Sequence, residues 1–206
     1  MPTTETTSVL LGFSARARHT PRNEAVRADQ LLRPELDWPL SADAMVWPTV
    51  FETVGGNRTH RGSTMENLWG PLSVLKSVLA TELPAGHWPE GSYWIVAVAW
   101  MPTPETWDSC PRDASAVQAV ISPDTIDKAW EFLGYDVADN KLLSGLSNCL
   151  TNRHDRCPDW HDTWAGRLND HHLFDELADA TLFAGAIARR VPTHAPFHPY
   201  GLWRVN

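Results

Sequence analysis

Residues 93–101, YWIVAVAWM, decide the fold class of this 206-residue chain. The run is apolar almost throughout, is rich in β-branched and aromatic residues, and lies between Gly91 and Pro102. A short apolar run with this composition and these boundaries is typical of a strand that is covered on both faces. We therefore expect residues 93–101 to form the central strand of a sheet.

Other segments predict strands around this one. Residues 9–13 form a short apolar run that Gly12 and polar residues close, and residues 50–54 and 114–121 predict two more strands. Residues 197–205 predict a last strand, which Pro199 and Gly201 restrict to an edge of the sheet. Two further patterns predict a strand pair around Asp139-Asn140, over residues 135–138 and 142–146. A helix that begins at Leu142 is the alternative for the second of these.

The strongest helix pattern covers residues 63–83. Ser63 and Glu66 have the spacing of a capping box. Leucines follow at intervals of three and four, which is the pattern of one apolar helix face. Pro71 lies inside this pattern, so the helix either kinks there or begins anew with Pro71 in its first position.

Shorter helices are predicted on both sides of the apolar run. Residues 23–32 predict one helix, and residues 170–177 and 181–190 predict two more with Asp170 and Asp179 as caps. Ser122-Pro123-Asp124 has the composition of a helix start. The helix predicted there ends at Gly134 and buries one face, which consists of Ile126, Ala129, Trp130 and Leu133.

The order of these elements predicts an α+β fold. Helices and strands interleave but do not follow strict βαβ spacing, and the sequence has no internal repeat and no long linker. We therefore expect residues 1–206 to form a single compact domain, in which helices pack on one mixed or antiparallel sheet. Residues 1–7 are expected to be frayed.

The charge distribution limits the classes of partner. The chain has 25 acidic and 17 basic side chains, a formal net charge of −8. Fifteen of the acids but only six of the bases lie in residues 101–188. This balance disfavours direct nucleic-acid binding. The acidic half of the chain forms either a solvated face or a docking face for a basic protein, such as one that itself binds nucleic acid.

Composition also predicts the compartment. No apolar run is long enough to span a bilayer, and the N-terminal residues lack the pattern of a signal peptide. Three cysteines are too few, and odd in number, for a disulfide scaffold. We therefore expect a cytoplasmic protein without membrane contact.

One short segment is dense in potential metal ligands. It has the spacing C-x4-H-x2-C-x3-H, and its members are Cys149, His154, Cys157 and His161. Thiolate and imidazole are the ligands that zinc prefers, although this is not the spacing of a common zinc finger. The alternative is a polar loop with a buried Cys149. The downstream Asp170-His171-His172 is similar in composition to hydrolase metal sites, but a helix cap also explains Asp170.

Tryptophan is the most unusual component, with 11 residues in the chain. Trp69, Trp130 and one of Trp94 and Trp100 fall on predicted buried faces. The others fall in predicted loops or chain ends, where aromatic rings can anchor a protein interface or cover the core. The side chains that we predict to contact a partner lie within the acidic half: Trp107, Asp155, Asp159, Trp160, Asp162 and Trp164.

Two functional hypotheses follow from these patterns. The first is a small acidic interaction protein that binds and blocks a macromolecular partner, of the type of immunity proteins and phage-encoded inhibitors of bacterial defence. The second is a zinc-dependent hydrolase or a zinc-stabilised domain centred on residues 149–172. The chain has neither a nucleophile motif nor a phosphate-binding glycine motif, so the first hypothesis is preferred and zinc is the one cofactor considered.

Overall fold

The computed structural model describes residues 8–17, 63–65, 68–82, 93–102, 124–139, 144–146 and 163–206. Its strands form one six-stranded sheet in the order β2-β3-β1-β4-β6-β5, and every neighbouring pair is antiparallel. These strands are β1 (Val9–Ala17), β2 (Ser63–Met65), β3 (Leu68–Trp69), β4 (Tyr93–Trp100), β5 (Glu131–Asp139) and β6 (Phe197–Val205). Two helices, α1 (Leu72–Glu82) and α2 (Leu177–Arg190), pack on this sheet. The predicted α+β fold is confirmed.

The apolar run of residues 93–101 forms the central strand, as predicted. β4 lies between β1 and β6, and residues 96–100 are all buried. β1 extends the predicted strand of residues 9–13 to Ala17. A bulge interrupts its pairing with β4 beside Gly12, where a Cβ atom would lie 2.6 Å from the carbonyl oxygen of Trp69. Glycine at this position therefore allows β1 and β3 to approach closely.

The last strand has the predicted extent but not the predicted position. β6 pairs with β4 on one side and with β5 on the other, so it is an interior strand. The proline is tolerated because Pro199 lies where β4 ends: its carbonyl accepts a hydrogen bond from the Met101 amide at 3.1 Å. The missing N–H therefore affects only the last position of that ladder.

The helix predicted to open at Ser122-Pro123-Asp124 and end at Gly134 is wrong over residues 124–134, the part of it that the structure describes. Residues 124–130 form an irregular segment with a turn at Asp127, and residues 131–139 form the edge strand β5. The Asp124 carboxylate caps a different helix, since it accepts a hydrogen bond from the Leu72 amide of α1 at 2.8 Å. Asp124, which the sequence pattern places at the start of its own helix, therefore caps a helix from a distant part of the chain.

α1 is shorter than the predicted helix of residues 63–83. Ser63 lies in β2 rather than at a helix N-cap, and β3 follows before the helix begins at Leu72. Of the two alternatives for Pro71, the new start is therefore correct and the kink is wrong. Leu75 and Leu79 are the buried residues of α1 that contact the sheet.

The two helices predicted after Asp170 are also wrong in their bounds. Residues 168–176 form a loop, which we call the edge loop, and one helix, α2, follows without interruption. Asp179 therefore lies in the first turn of α2 instead of capping a separate helix. The side chain of Asn169 holds the edge loop, because its carbonyl oxygen accepts hydrogen bonds from the His171 and Leu173 amides. Such local bonds compete with helix formation.

The edge loop covers the outer edge of β5. Tyr135 and Phe174 exchange backbone hydrogen bonds of 2.8 and 3.0 Å, and the Asn169 amide donates to the Leu133 carbonyl at 2.8 Å. Of the strand pair predicted over residues 135–138 and 142–146, the first segment lies in β5, and Ser144 forms an isolated bridge with Ala138. Residues 145–146 are helical, which fits the alternative of a helix in the second segment. The β5 edge is thereby protected from pairing with another chain.

Both helices lie on one face of the sheet, which we call the helix face. α1 covers β1 and β3 and contacts a cluster that includes Phe13, Trp69 and Ala97. α2 covers β5 and β6 through a cluster that includes Phe183 and Phe197. The opposite face is also buried, at Val96, Val98, Leu202 and their neighbours. Burial on both faces explains why β4 has no charged side chain.

Several predictions fall on parts of the chain that the structure does not describe. These are the helix over residues 23–32, the strands over 50–54 and 114–121, and the frayed residues 1–7. Within the described ranges, no helix has the length and hydropathy required to cross a membrane.

Candidate interaction surface

Three aromatic rings form a continuous patch on the helix face of β5 and β6, which we call the aromatic surface. Phe132 lies at its centre, with its ring centroid 4.9 Å from that of Tyr135 and 5.1 Å from that of Trp203. Phe132 is 40% exposed, and the other two rings are half-buried. An exposed phenylalanine in contact with two further rings is the kind of anchor that protein interfaces use.

Strand register explains why these rings meet. Phe132 pairs directly with Trp203, and Tyr135 pairs with Gly201 on the same face. The Trp203 ring folds back over Gly201, where a Cβ atom would lie 2.6 Å from a ring carbon. Glycine at 201 therefore leaves room for the indole to lie flat against the sheet.

A bulge aligns the two halves of β5. Pairing with β6 shifts between Phe132 and Gly134, and Gly134 has a φ of +134°. The extra residue places Phe132 and Tyr135 on one face although three positions separate them, a spacing that a regular strand would put on opposite faces. The aromatic surface thus depends on Gly134.

The aromatic surface lies between the two helices and beside acidic side chains. Tyr135 packs against the α2 cluster, whereas Trp203 packs against the α1 cluster. The backbone pairing of Tyr135 with Phe174 brings Glu176, two residues farther along the chain, near the phenol. The carboxylate of the intervening Asp175 instead accepts a hydrogen bond from the Asn169 side chain at 2.8 Å. Burial, and secondly the charge of Glu176, raise the pKa of Tyr135 above its usual value of 10.0. The negative charge of Glu176 therefore acts at the Tyr135 ring.

The carboxylate of Glu176 makes no contact that would neutralise it within the described part of the chain. It immediately precedes α2, yet its side chain forms no capping hydrogen bond. The ion pairs among the described residues involve other acids, namely Glu131, Asp139 and Asp179. Glu176 is thus an exposed anion beside exposed rings.

Two polar side chains, those of Asp136 and His198, are buried on the opposite face of the sheet. Asp136 is 0% exposed, and its Oδ1 accepts hydrogen bonds from the Ser144 hydroxyl at 2.8 Å and from the Val137 amide at 2.7 Å. His198 is buried on the neighbouring strand β6, with its ring 6.0 Å from that of Trp100. Within the part of the chain that the structure describes, neither ring nitrogen of His198 has a hydrogen-bond partner. Burial lowers the pKa of His198 to about 4, so the imidazole is neutral at pH 7.

The structure describes one of the six side chains predicted to contact a partner. Trp164 is half-buried, its ring contacts Phe174 and Phe183, and the Arg167 guanidinium lies over it at 5.1 Å. The other five lie outside the described residues: Trp107, Asp155, Asp159, Trp160 and Asp162.

The predicted zinc ligands Cys149, His154, Cys157 and His161 also lie outside the described residues, so the zinc site stays a prediction. Among the residues that the structure does describe, no three His, Cys, Asp or Glu side chains come together as metal ligands. Asp170 is exposed in the edge loop, and the His171 ring contacts Trp94 instead of its neighbours in sequence.

The sequence patterns do not predict that Phe132, Tyr135 and Glu176 belong to one surface. They predict a helix at Phe132 and a separate strand at Tyr135, so they give no reason for the two rings to meet. The available signal was the β-compatible composition of EFLGYDVAD with one internal glycine, which is typical of a bulged strand. Trp203 was identified as a ring near a chain end.

Comparisons with protein-family models, with curated proteins and with solved structures give no significant match to this chain.

Proposed function

We propose that this protein binds a basic macromolecular partner and blocks its activity. The single observation that carries this proposal is the exposure of Phe132 at the centre of a three-ring surface with Glu176 beside it. Exposed rings supply contact area, and neighbouring carboxylates favour a partner of positive charge. The formal net charge of −8 supports the same choice of partner by long-range attraction.

The partner class that fits this chemistry is a basic protein, including one whose own ligand is a nucleic acid. An acidic surface that covers such a protein's basic region competes with its ligand and so inhibits it. Electrostatic attraction accelerates this association at low salt and is screened over about 10 Å at an ionic strength near 0.1 M.

Affinity capture with three baits tests the proposal. The baits are the wild-type protein, the variant Phe132→Ala, and the control Leu182→Ala, which truncates the 61% exposed leucine of α2. We expect the wild type and the control to retain the same basic protein and Phe132→Ala to lose it. The captured protein is then purified, and its own activity is assayed with increasing amounts of each bait. Equal retention by all three baits, or binding without inhibition, would contradict the proposal.

The zinc hypothesis is separated from this function by metal analysis of the purified full chain. If the purified chain holds one zinc ion, and Cys157→Ala loses both the zinc and the partner, function would be assigned to residues 149–172 instead. Inhibition that survives a chelator supports the interaction function.

A further inference from the structure

We infer that the aromatic surface binds an arginine side chain of the partner, with the guanidinium over the rings and paired to Glu176. This inference rests on the proposed function and names the group that the surface recognises. At two other places in the same chain, an arginine side chain already contacts a tryptophan ring and a carboxylate together.

The first of these places is at the end of β6. The Arg204 guanidinium lies 4.6 Å from the centroid of the Trp94 ring and forms an ion pair with Glu131. The second is before α2, where Arg167 lies over Trp164 at 5.1 Å and pairs with Asp179 at 2.8 Å. In both, one guanidinium contacts a ring face and a carboxylate at once, which suits its planar, delocalised charge.

The aromatic surface has two of these three components. It has the rings of Phe132, Tyr135 and Trp203 and the carboxylate of Glu176, whose charge acts on Tyr135. No arginine or lysine among the described residues lies over these rings. The charge of Glu176 acts on the Tyr135 ring, so an incoming cation meets attraction from both the carboxylate and the ring quadrupole.

Arginine fits this surface better than lysine. The three rings contact each other at centroid distances of 4.9 and 5.1 Å, so they present a continuous outer surface rather than an enclosed cage. A flat guanidinium stacks on such a surface and still donates hydrogen bonds at its edge, whereas an ammonium is a compact and strongly hydrated charge.

Fluorescence anisotropy with labelled peptides tests the inference. The probes are hexa-arginine, hexa-lysine and hexa-citrulline, the last of which keeps the shape of arginine without its charge. The variants are Phe132→Ala and Glu176→Gln. Their matched controls are Leu182→Ala, for an exposed apolar side chain, and Asp127→Asn, for an exposed acid.

We expect hexa-arginine to bind the wild type more tightly than hexa-lysine and hexa-citrulline. Phe132→Ala and Glu176→Gln should each weaken hexa-arginine binding about three- to fivefold, as expected for exposed cation–π and ion-pair contacts, and the two controls should not. Equal weakening by Asp127→Asn and Glu176→Gln would show diffuse charge attraction and would overturn the inference. Absence of binding, or equal affinity for hexa-citrulline, would also overturn it.

Sedimentation of the wild type and Phe132→Ala completes the test. A monomer in both cases agrees with a surface that binds another protein. A wild-type dimer that Phe132→Ala dissociates would assign the rings to a second copy of this chain and overturn the inference. If Phe132 is needed for partner capture but the peptides show no preference for arginine, the inference fails and the proposed function stands. The failure of the inference is therefore distinguishable from the failure of the proposed function.

Discussion

Residues 131–135 of β5 expose an aromatic ring and a carboxylate, whereas residues 136–139 of the same strand bury two carboxylates. Phe132 and Glu131 are in contact with solvent, but Asp136 and Asp139 are 0% and 4% exposed. The environments differ because of what packs on each part. Ser144 contacts the second part at Asp136 and Ala138, and Val137 is buried in the α2 cluster. The edge loop pairs with the first part at Tyr135 but leaves the Phe132 ring exposed between the two helices. The bulge at Gly134 lies next to the boundary between the two parts.

Gly134→Ala should have the largest effect, because it removes the residue that allows the bulge. A Cβ atom at 134 would lie 2.7 Å from the Leu173 Cβ and 2.9 Å from the Phe174 carbonyl oxygen, and the φ of +134° is unfavourable for alanine. Overpacking and backbone strain together should lower the free energy of unfolding by about 3 kcal/mol. Urea denaturation measures this.

Gly185→Ala is the matched control for that change. Gly185 lies in α2, where the nearest atom to an added Cβ is a flexible arginine nitrogen at 3.7 Å. This variant should be more stable than the wild type by about 0.5–1 kcal/mol, since alanine has the higher helix propensity. A Gly134→Ala protein as stable as the Gly185→Ala protein would show that β5 does not need its bulge.

A fall in pH should have the next-largest effect on the free energy of unfolding, through the buried imidazole of His198. His198 has a folded-state pKa of about 4 against 6.5 in the unfolded chain, so only the unfolded chain binds its proton between these values. Stability from this group is therefore present above pH 6.5 and is lost as pH falls toward 4. Between pH 7 and pH 5 the loss should be about 2 kcal/mol.

The variant His198→Phe separates the effect of His198 on acid stability from the effect of the acidic residues, which include Asp136 on the adjacent strand. The phenylalanine variant keeps a ring against Trp100 but cannot titrate. Urea denaturation at both pH values should show a smaller loss for the variant than for the wild type. Equal losses in the two proteins would mean that other groups cause the acid sensitivity.

Ser144→Ala should have a smaller effect on the free energy of unfolding. Its hydroxyl donates to the Asp136 carboxylate at 2.8 Å, and both residues are buried. Loss of this hydrogen bond to a buried carboxyl oxygen should lower the free energy of unfolding by about 1.5 kcal/mol, measured by urea denaturation. Ser73→Ala, at an exposed position of α1, is the control and should leave stability nearly unchanged. Equal stability of the two variants would contradict the role of Ser144.

Glu176→Gln should have the smallest effect on the free energy of unfolding. Its specific effect should be on the pKa of Tyr135. Glu176 is a secondary cause of the raised pKa of Tyr135, after burial. The variant should therefore lower the pKa of Tyr135 toward 10 without restoring it fully. Ultraviolet titration of the phenol measures this, with Asp127→Asn as the control. An unchanged tyrosine titration would place the carboxylate too far from the rings to assist a bound cation.

Local pattern predicted strands correctly where the pattern was strong. Residues 93–101 and 197–205 form strands at almost the predicted bounds. For residues 93–101 the reason is that burial on both faces requires a continuous apolar sequence. Local sequence pattern was misleading where the residue that carries it contacts a distant part of the chain. Ser63 and Asp124 have the identity of helix caps, but Ser63 pairs in a sheet and Asp124 caps α1 from a distance of 52 residues.

The candidate surface was less predictable than the fold. The sequence indicated acidity in the second half of the chain and exposed tryptophans as anchors, and Trp203 is one member of the aromatic surface. Phe132, Tyr135 and Glu176 come together only through the register of β5 with β6 and the pairing of Tyr135 with Phe174. Register across strands depends on contacts between distant residues, and a single sequence does not contain that information directly.

The sequence by itself determined the α+β class, the central strand and the net negative charge. These properties follow from composition and hydrophobic period, which act locally. Only the tertiary structure decided that β6 is interior, that residues 131–139 form a bulged edge strand, and that three rings meet beside Glu176. The physical reason is that strand order, capping by distant carboxylates and the alignment of side chains across a sheet are set by packing of the whole domain.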